Sequence, residues 1–126
     1  MVKRENREKP TKTVLPCPGE VFWNGYRVTA EIAENTANTG EIFTILPQGE
    51  LILRSREPGD TITLSGGSKS LKKLFIDRKI PASKRLQIPV LADETGILGV
   101  YSIGADTKRK AETLPAVQIR FEPAEK

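Results

Sequence analysis

The chain has 126 residues, 37% of them hydrophobic, and sets 20 Lys+Arg against 16 Asp+Glu for a formal charge of +4. It contains no histidine and one cysteine, Cys17, which excludes a Ser–His–Asp or Cys–His triad, a His-ligated metal centre, an internal disulfide and a Cys-rich zinc site. No run approaches the ~20 apolar residues of a membrane span, and the charged start lacks a signal peptide's apolar stretch, so the expectation is a cytoplasmic protein with no membrane partner.

Residues 1–12 are polar and charged without apolar periodicity, and read as a linker or disordered arm. Pro16-Cys17-Pro18-Gly19 is a turn, with Cys17 as a small filler. Glu20 to Trp23 and Tyr26 to Ile32 are β-rich runs joined by Asn24-Gly25, a strong short hairpin signal because both turn positions need positive φ. The alternation of Tyr26, Val28, Ala30 and Ile32 with Arg27, Thr29 and Glu31 predicts one buried and one wet face. Further strands are predicted at Glu41 to Leu46, Glu50 to Arg54 and Asp60 to Leu64, the last with Ile62 and Leu64 inward.

Helical spacing comes next. Over Ser68 to Ile80, Leu71, Leu74 and Phe75 stand at i, i+3 and i+4, Ser68 or Ser70 caps the start, and Pro81 stops the helix. Lys69, Lys72, Lys73 and Lys79 fall on the side away from those apolar residues. A second short turn over Ala82 to Leu86 adds Lys84 and Arg85. Strands are predicted at Gln87 to Ala92, Ile97 to Ile103 and Ala116 to Phe121, with a turn at Asp93 to Gly96 and a charged loop at Asp106 to Glu112. The expected class is α+β: a mostly antiparallel sheet or small sandwich with one helical hairpin near 69–87. The simplest partition is one domain over 13–122 and a tail at 123–126. Phe22, Trp23, Tyr26, Phe43, Phe75 and Phe121 are expected in the core, which leaves Tyr101 as a candidate stacking residue.

The small total charge hides a strong asymmetry. Residues 13–50 are net −4, whereas 51–85 are net +6 through Arg54, Arg56, Lys69, Lys72, Lys73, Arg78, Lys79, Lys84 and Arg85. A cationic block inside a foldable region is a candidate polyanion-binding face. Ser65-Gly66-Gly67-Ser68-Lys69-Ser70 superficially matches the SGGxDS signature of PP-loop ATPases, with Lys69 in place of the aspartate. It is not a Walker A motif, the strand before it alternates, and the chain lacks βαβ repetition. The expectation here is a flexible turn beside a phosphate-contacting helix. The acidic residues form no convincing catalytic pair, and Asp60, Asp77 and Asp93 are assigned to capping or ion pairing.

The stretch from Leu53 to Asp60 (LRSREPGD), then Lys72 to Pro81 (KKLFIDRKIP), Arg85 and Pro89-Val90-Leu91 resembles the C-terminal domain of the tRNA(Ile)-lysidine synthetase family. The resemblance runs over about residues 50–105, and Pro18-Gly19-Glu20 fits more loosely. Gly99 to Ala105 departs from the aromatic-valine pair and glycine-arginine turn often found in the family. The resemblance implies an enzyme that uses ATP to attach lysine to the wobble cytidine of the CAU-anticodon isoleucine tRNA. Its ATP and magnesium belong to a PP-loop domain absent from this chain, which itself holds no cofactor. It implies a C-terminal module that grips tRNA, including the acceptor stem, without catalysing alone. A methionine followed by a charged linker is what an excised or separate piece of such an enzyme would show. The other reading is an interaction module whose basic face docks the catalytic domain or a second subunit, including a second copy of itself.

Overall fold

The computed structural model describes residues 10–123. Two antiparallel sheets face each other, and a hairpin and two short helices are inserted between strands of the first. That sheet runs β1 (Thr13–Leu15), β5 (Leu51–Arg54), β8 (Val90–Asp93), β9 (Gly96–Val100), β10 (Gly104–Ala105). The second runs β2 (Gly19–Trp23), β3 (Tyr26–Ile32), β11 (Val117–Pro123), β4 (Ile42–Ile45). The insertion comprises β6 (Thr61–Leu64), β7 (Gly67–Ser70), α1 (Leu71–Asp77) and α2 (Ala82–Arg85). The architecture is therefore mostly antiparallel, with a single helical pair.

The alternation of each strand supplies the inter-sheet core. Leu15, Leu51, Leu53, Leu91 and Leu98 from one sheet meet Trp23, Val28, Phe43, Ile45, Ile119 and Phe121 from the other. A second cluster anchors the insertion: Leu71, Leu74 and Phe75 of α1 pack with Ile62, Val90, Ile97 and Val100. Burying a side chain such as Phe75 is worth about 2–3 kcal/mol, enough to hold so short a helix that would not form alone.

The Asn24-Gly25 hairpin forms as expected, with φ of 49° and 88°. Several other expectations are corrected. Phe22 is 65% exposed: Trp23 turns inward beside Tyr26, so its neighbour must face out, next to Arg27. Ile32 is 67% exposed, because its partner strand β2 ends opposite Ala30 and β3 continues past it.

Residues Gly67–Ser70 form a strand rather than the start of a helix, and pair with β6 around the two-residue turn Ser65-Gly66. The helix is confined to Leu71–Asp77 and starts at Ser70, whose hydroxyl accepts from the Lys73 N–H. It ends before Pro81 is reached. Lys79, at φ 59°, turns the chain left-handed, while Lys79 N–H donates to Ile76 and Ile80 N–H donates to Phe75.

The apolar run Ile97 to Ile103 is not one strand. The chain turns at Ser102 (φ 69°) and Gly104 (φ 128°), and β10 pairs back on Gly99 and Val100. Gln87 completes the α2 turn, its N–H donating to Lys84 O, so the next strand begins only at Val90. Of the arm expected over 1–12, residues 1–9 lie outside the described residues, as do residues 124–126 of the tail. Within residues 10–12, the Thr11 carbonyl accepts from Trp23 Nε1 at 2.9 Å.

Candidate nucleic-acid interface

The nine cations proposed from sequence divide into three kinds once folded. The first kind is structural. Arg54 Nη1 and Nη2 donate to Asp60 Oδ2 and Oδ1 at 2.8 and 3.2 Å, and Asp60 Oδ2 also accepts from Glu57 N–H at 2.7 Å. This pair closes the turn through Pro58-Gly59, and Asp60 O then receives the first helical N–H, from Leu71. Arg54 is thus committed to holding the insertion in place.

The second kind is half-buried. Arg85 Nε donates to Ile80 O at 2.9 Å, pinning α2 to the preceding loop. Arg56 has a buried Nε without a hydrogen-bond acceptor among the described residues.

The third kind is free. Lys69 on β7, Lys72 and Lys73 on α1, Arg78 at its C-cap, Lys79 just beyond, and Lys84 on α2 are all exposed. Among the described residues, none of these six forms an ion pair; the ion pairs there are Arg27–Glu122, Arg54 with Glu57 and Asp60, and Arg109–Asp93. Lys69 leaves the helix face assigned to it and stands on the hairpin strand, leading into the same helix.

The base on which these cations stand is rigid. Ser55 Oγ donates to Leu86 O at 2.5 Å, and Asn24 Nδ2 donates to Gln87 Oε1 at 2.8 Å, latching the end of α2 to both sheets. Asp106, buried at 8% exposure, accepts from Thr63 N–H at 3.0 Å and Lys108 N–H at 2.8 Å, and Thr107 N–H donates to Thr63 O. Sequence reasoning placed Asp106 in a charged loop and missed this anchor.

The side chain of Asp93 is also covered, although the residue as a whole is only half-buried. Burial alone would raise its pKa, yet hydrogen bonds from Arg109, the Gln48 N–H and both Thr95 groups outweigh that and lower it to about 2.

Aromatic rings are scarce on this face. Trp23, Phe43, Phe75 and Phe121 are buried. Tyr101, the candidate stacking residue, lies against Tyr26 at 4.9 Å and Phe121 at 5.7 Å between ring centroids. Its ring is therefore engaged within the fold. The exposed Phe22 belongs to the second sheet, paired with Arg27 rather than with the basic insertion. Unpaired cations on a rigid support without stacking platforms suit contacts to phosphates.

A family model described as "TilS substrate C-terminal domain" matches residues 51–121. The tRNA(Ile)-lysidine synthase of Clostridioides difficile (strain 630) is 42% identical over 76 residues, covering 59% of this chain and 16% of that protein. The tRNA(Ile)-lysidine synthase of Caldanaerobacter subterraneus subsp. tengcongensis is 32% identical over 122 residues, covering 87% of this chain and 26% of that protein. A solved structure described as a crystal structure of the TILS C-terminal domain superposes with a TM-score of 0.80 at 26% identity, covering 94% of this chain and all of that one. The chain spans about a sixth to a quarter of the length of these curated relatives.

Proposed function

Because the chain belongs to the TilS substrate C-terminal domain family, we propose that it is the tRNA-gripping module of a tRNA(Ile)-lysidine synthase. On this reading it positions the CAU-anticodon isoleucine tRNA, through the acceptor stem, for lysine attachment carried out elsewhere in a longer cytoplasmic enzyme. The observation that carries the reading is the set Lys69, Lys72, Lys73, Arg78, Lys79 and Lys84: exposed, without acidic partners among the described residues, and gathered on one insertion.

Phosphates of a double helix suit these side chains better than single-stranded bases do. Single strands are bound on exposed aromatic platforms, whereas duplex RNA is recognised by shape, phosphate and 2′-hydroxyl. Among the described residues, the stretch that resembled a nucleotide loop takes another form. Ser65-Gly66 closes a β-hairpin instead of opening a helix, and no three His, Cys, Asp or Glu side chains among the described residues are grouped to hold a metal. On this reading ATP and magnesium are assigned to the remainder of the enzyme.

Sedimentation of the chain with isoleucine tRNA, and separately with the rest of the enzyme, tests the reading. Co-sedimentation with tRNA at low salt is expected. A stable complex with the catalytic part or a second copy, together with no tRNA binding, would replace it with the docking reading.

A further inference from the structure

We infer that the β6–β7 hairpin reads the minor groove of the duplex RNA, recognising 2′-hydroxyls through Thr63 and Ser68 while Lys72 and Lys73 hold the flanking phosphates; this rests on the tRNA-gripping reading. The hairpin projects as its own two-stranded sheet, and β7 has no strand on its outer side. Every residue from Ser65 to Ser70 is exposed. A protein edge of this kind normally carries a feature that blocks unwanted pairing, and here that feature is Lys69 at its centre.

Three observations favour a groove over a flat protein surface. Thr63 Oγ1 and Ser68 Oγ sit opposite each other at 3.0 Å on an exposed face. Each hydroxyl both donates and accepts, which matches a ribose 2′-hydroxyl, itself donor and acceptor. The tip is unobstructed: a Cβ built on Gly66 or Gly67 would meet nothing within 4 Å. The cations nearest the hydroxyl pair along the chain are Lys72 and Lys73, in the first turn of α1 directly after β7, whereas Lys69, paired with the buried Ile62, stands on the opposite face of the hairpin.

The hairpin is also fixed at its base. Thr63, which supplies one hydroxyl, has its N–H held by the buried Asp106 carboxylate and its carbonyl held by Thr107 N–H. Its hydroxyl is therefore presented at a set position, and little ordering is required on binding. The wide, shallow minor groove of A-form RNA admits such a ribbon, whereas its deep, narrow major groove does not.

The test compares an RNA duplex of acceptor-stem sequence with the same duplex carrying 2′-O-methyl groups, which keeps the A-form but removes the hydroxyl donors. Two hydrogen bonds at stake predict binding roughly tenfold weaker to the methylated duplex. The Thr63→Val/Ser68→Ala variant should bind both duplexes alike, with unchanged salt dependence and the affinity that the wild type shows for the methylated one. A wild type indifferent to methylation, or a variant as sensitive as the wild type, would overturn the hairpin assignment alone. Failure of the wild type to bind either duplex would overturn the tRNA-gripping reading beneath it.

Discussion

Arg54 and Asp60, six positions apart, clasp each other through two N–H···O contacts across the turn that leads into the basic insertion. Their side chains are only 14% and 13% exposed, so the pair cannot be treated as a weak surface bridge. Arg54→Ala would leave a half-buried carboxylate without its counter-charge, at a cost of about 2 kcal/mol. Urea unfolding should show that loss. The salt dependence of tRNA binding by the folded variant should stay unchanged, because Arg54 is spent on Asp60.

Lys79 separates stability from binding in the opposite sense. Its φ of 59° is the left-handed conformation that ends α1, where glycine is ordinarily preferred and a side chain is strained. Lys79→Gly should raise stability by about 1 kcal/mol in a thermal melt, while the slope of log K against log[salt] falls by ~0.7–0.9 as one phosphate contact disappears. A variant that is more stable with an unaltered slope would remove Lys79 from the interface.

Acid sensitivity should centre on Asp93. Its pKa of about 2 in the folded chain lies below the ordinary 3.8, so its ionised form favours the folded state. That contribution is present above about pH 4 and is lost as the pH falls through 2, amounting to about 2 kcal/mol. Denaturation of the wild type and Asp93→Asn at a series of pH values should show the step only in the wild type.

Gly99 sets how closely the sheets approach. A Cβ there would fall 2.7 Å from Phe43 Cε2 and 3.1 Å from Ala105 Cα. Gly99→Ala should cost about 1–3 kcal/mol by overpacking, measured by urea unfolding.

The sequence made local chemistry legible and hid pairings made across the fold. Asn24-Gly25 declares its hairpin because few other dipeptides accept positive φ twice, and Leu71, Leu74 and Phe75 declare the buried side of α1 by spacing alone. Ser68 to Ser70 misleads because the Leu71 periodicity extends backwards over it, whereas the structure pairs it with β6. The Gly66-Gly67 pair between Thr63 and Ser68 carried the signal of a second hairpin. Counting charge located the basic block but could not tell Arg54, neutralised by an acid in the next turn, from Lys72 and Lys73, which have none among the described residues. Asp106 was unreadable because Thr63, the residue it holds, lies 43 positions away.

The claim that the insertion grips RNA phosphates is tested most directly by the salt dependence of tRNA affinity for the wild type and the Lys72→Ala/Lys73→Ala variant. Both lysines are exposed on α1, so their removal should leave the melt within about 0.5 kcal/mol of the wild type. The account predicts weaker binding and a slope of log K against log[salt] lower by ~1.4–1.8, about two phosphate contacts. Equal affinity and an equal slope in a folded double variant would contradict it.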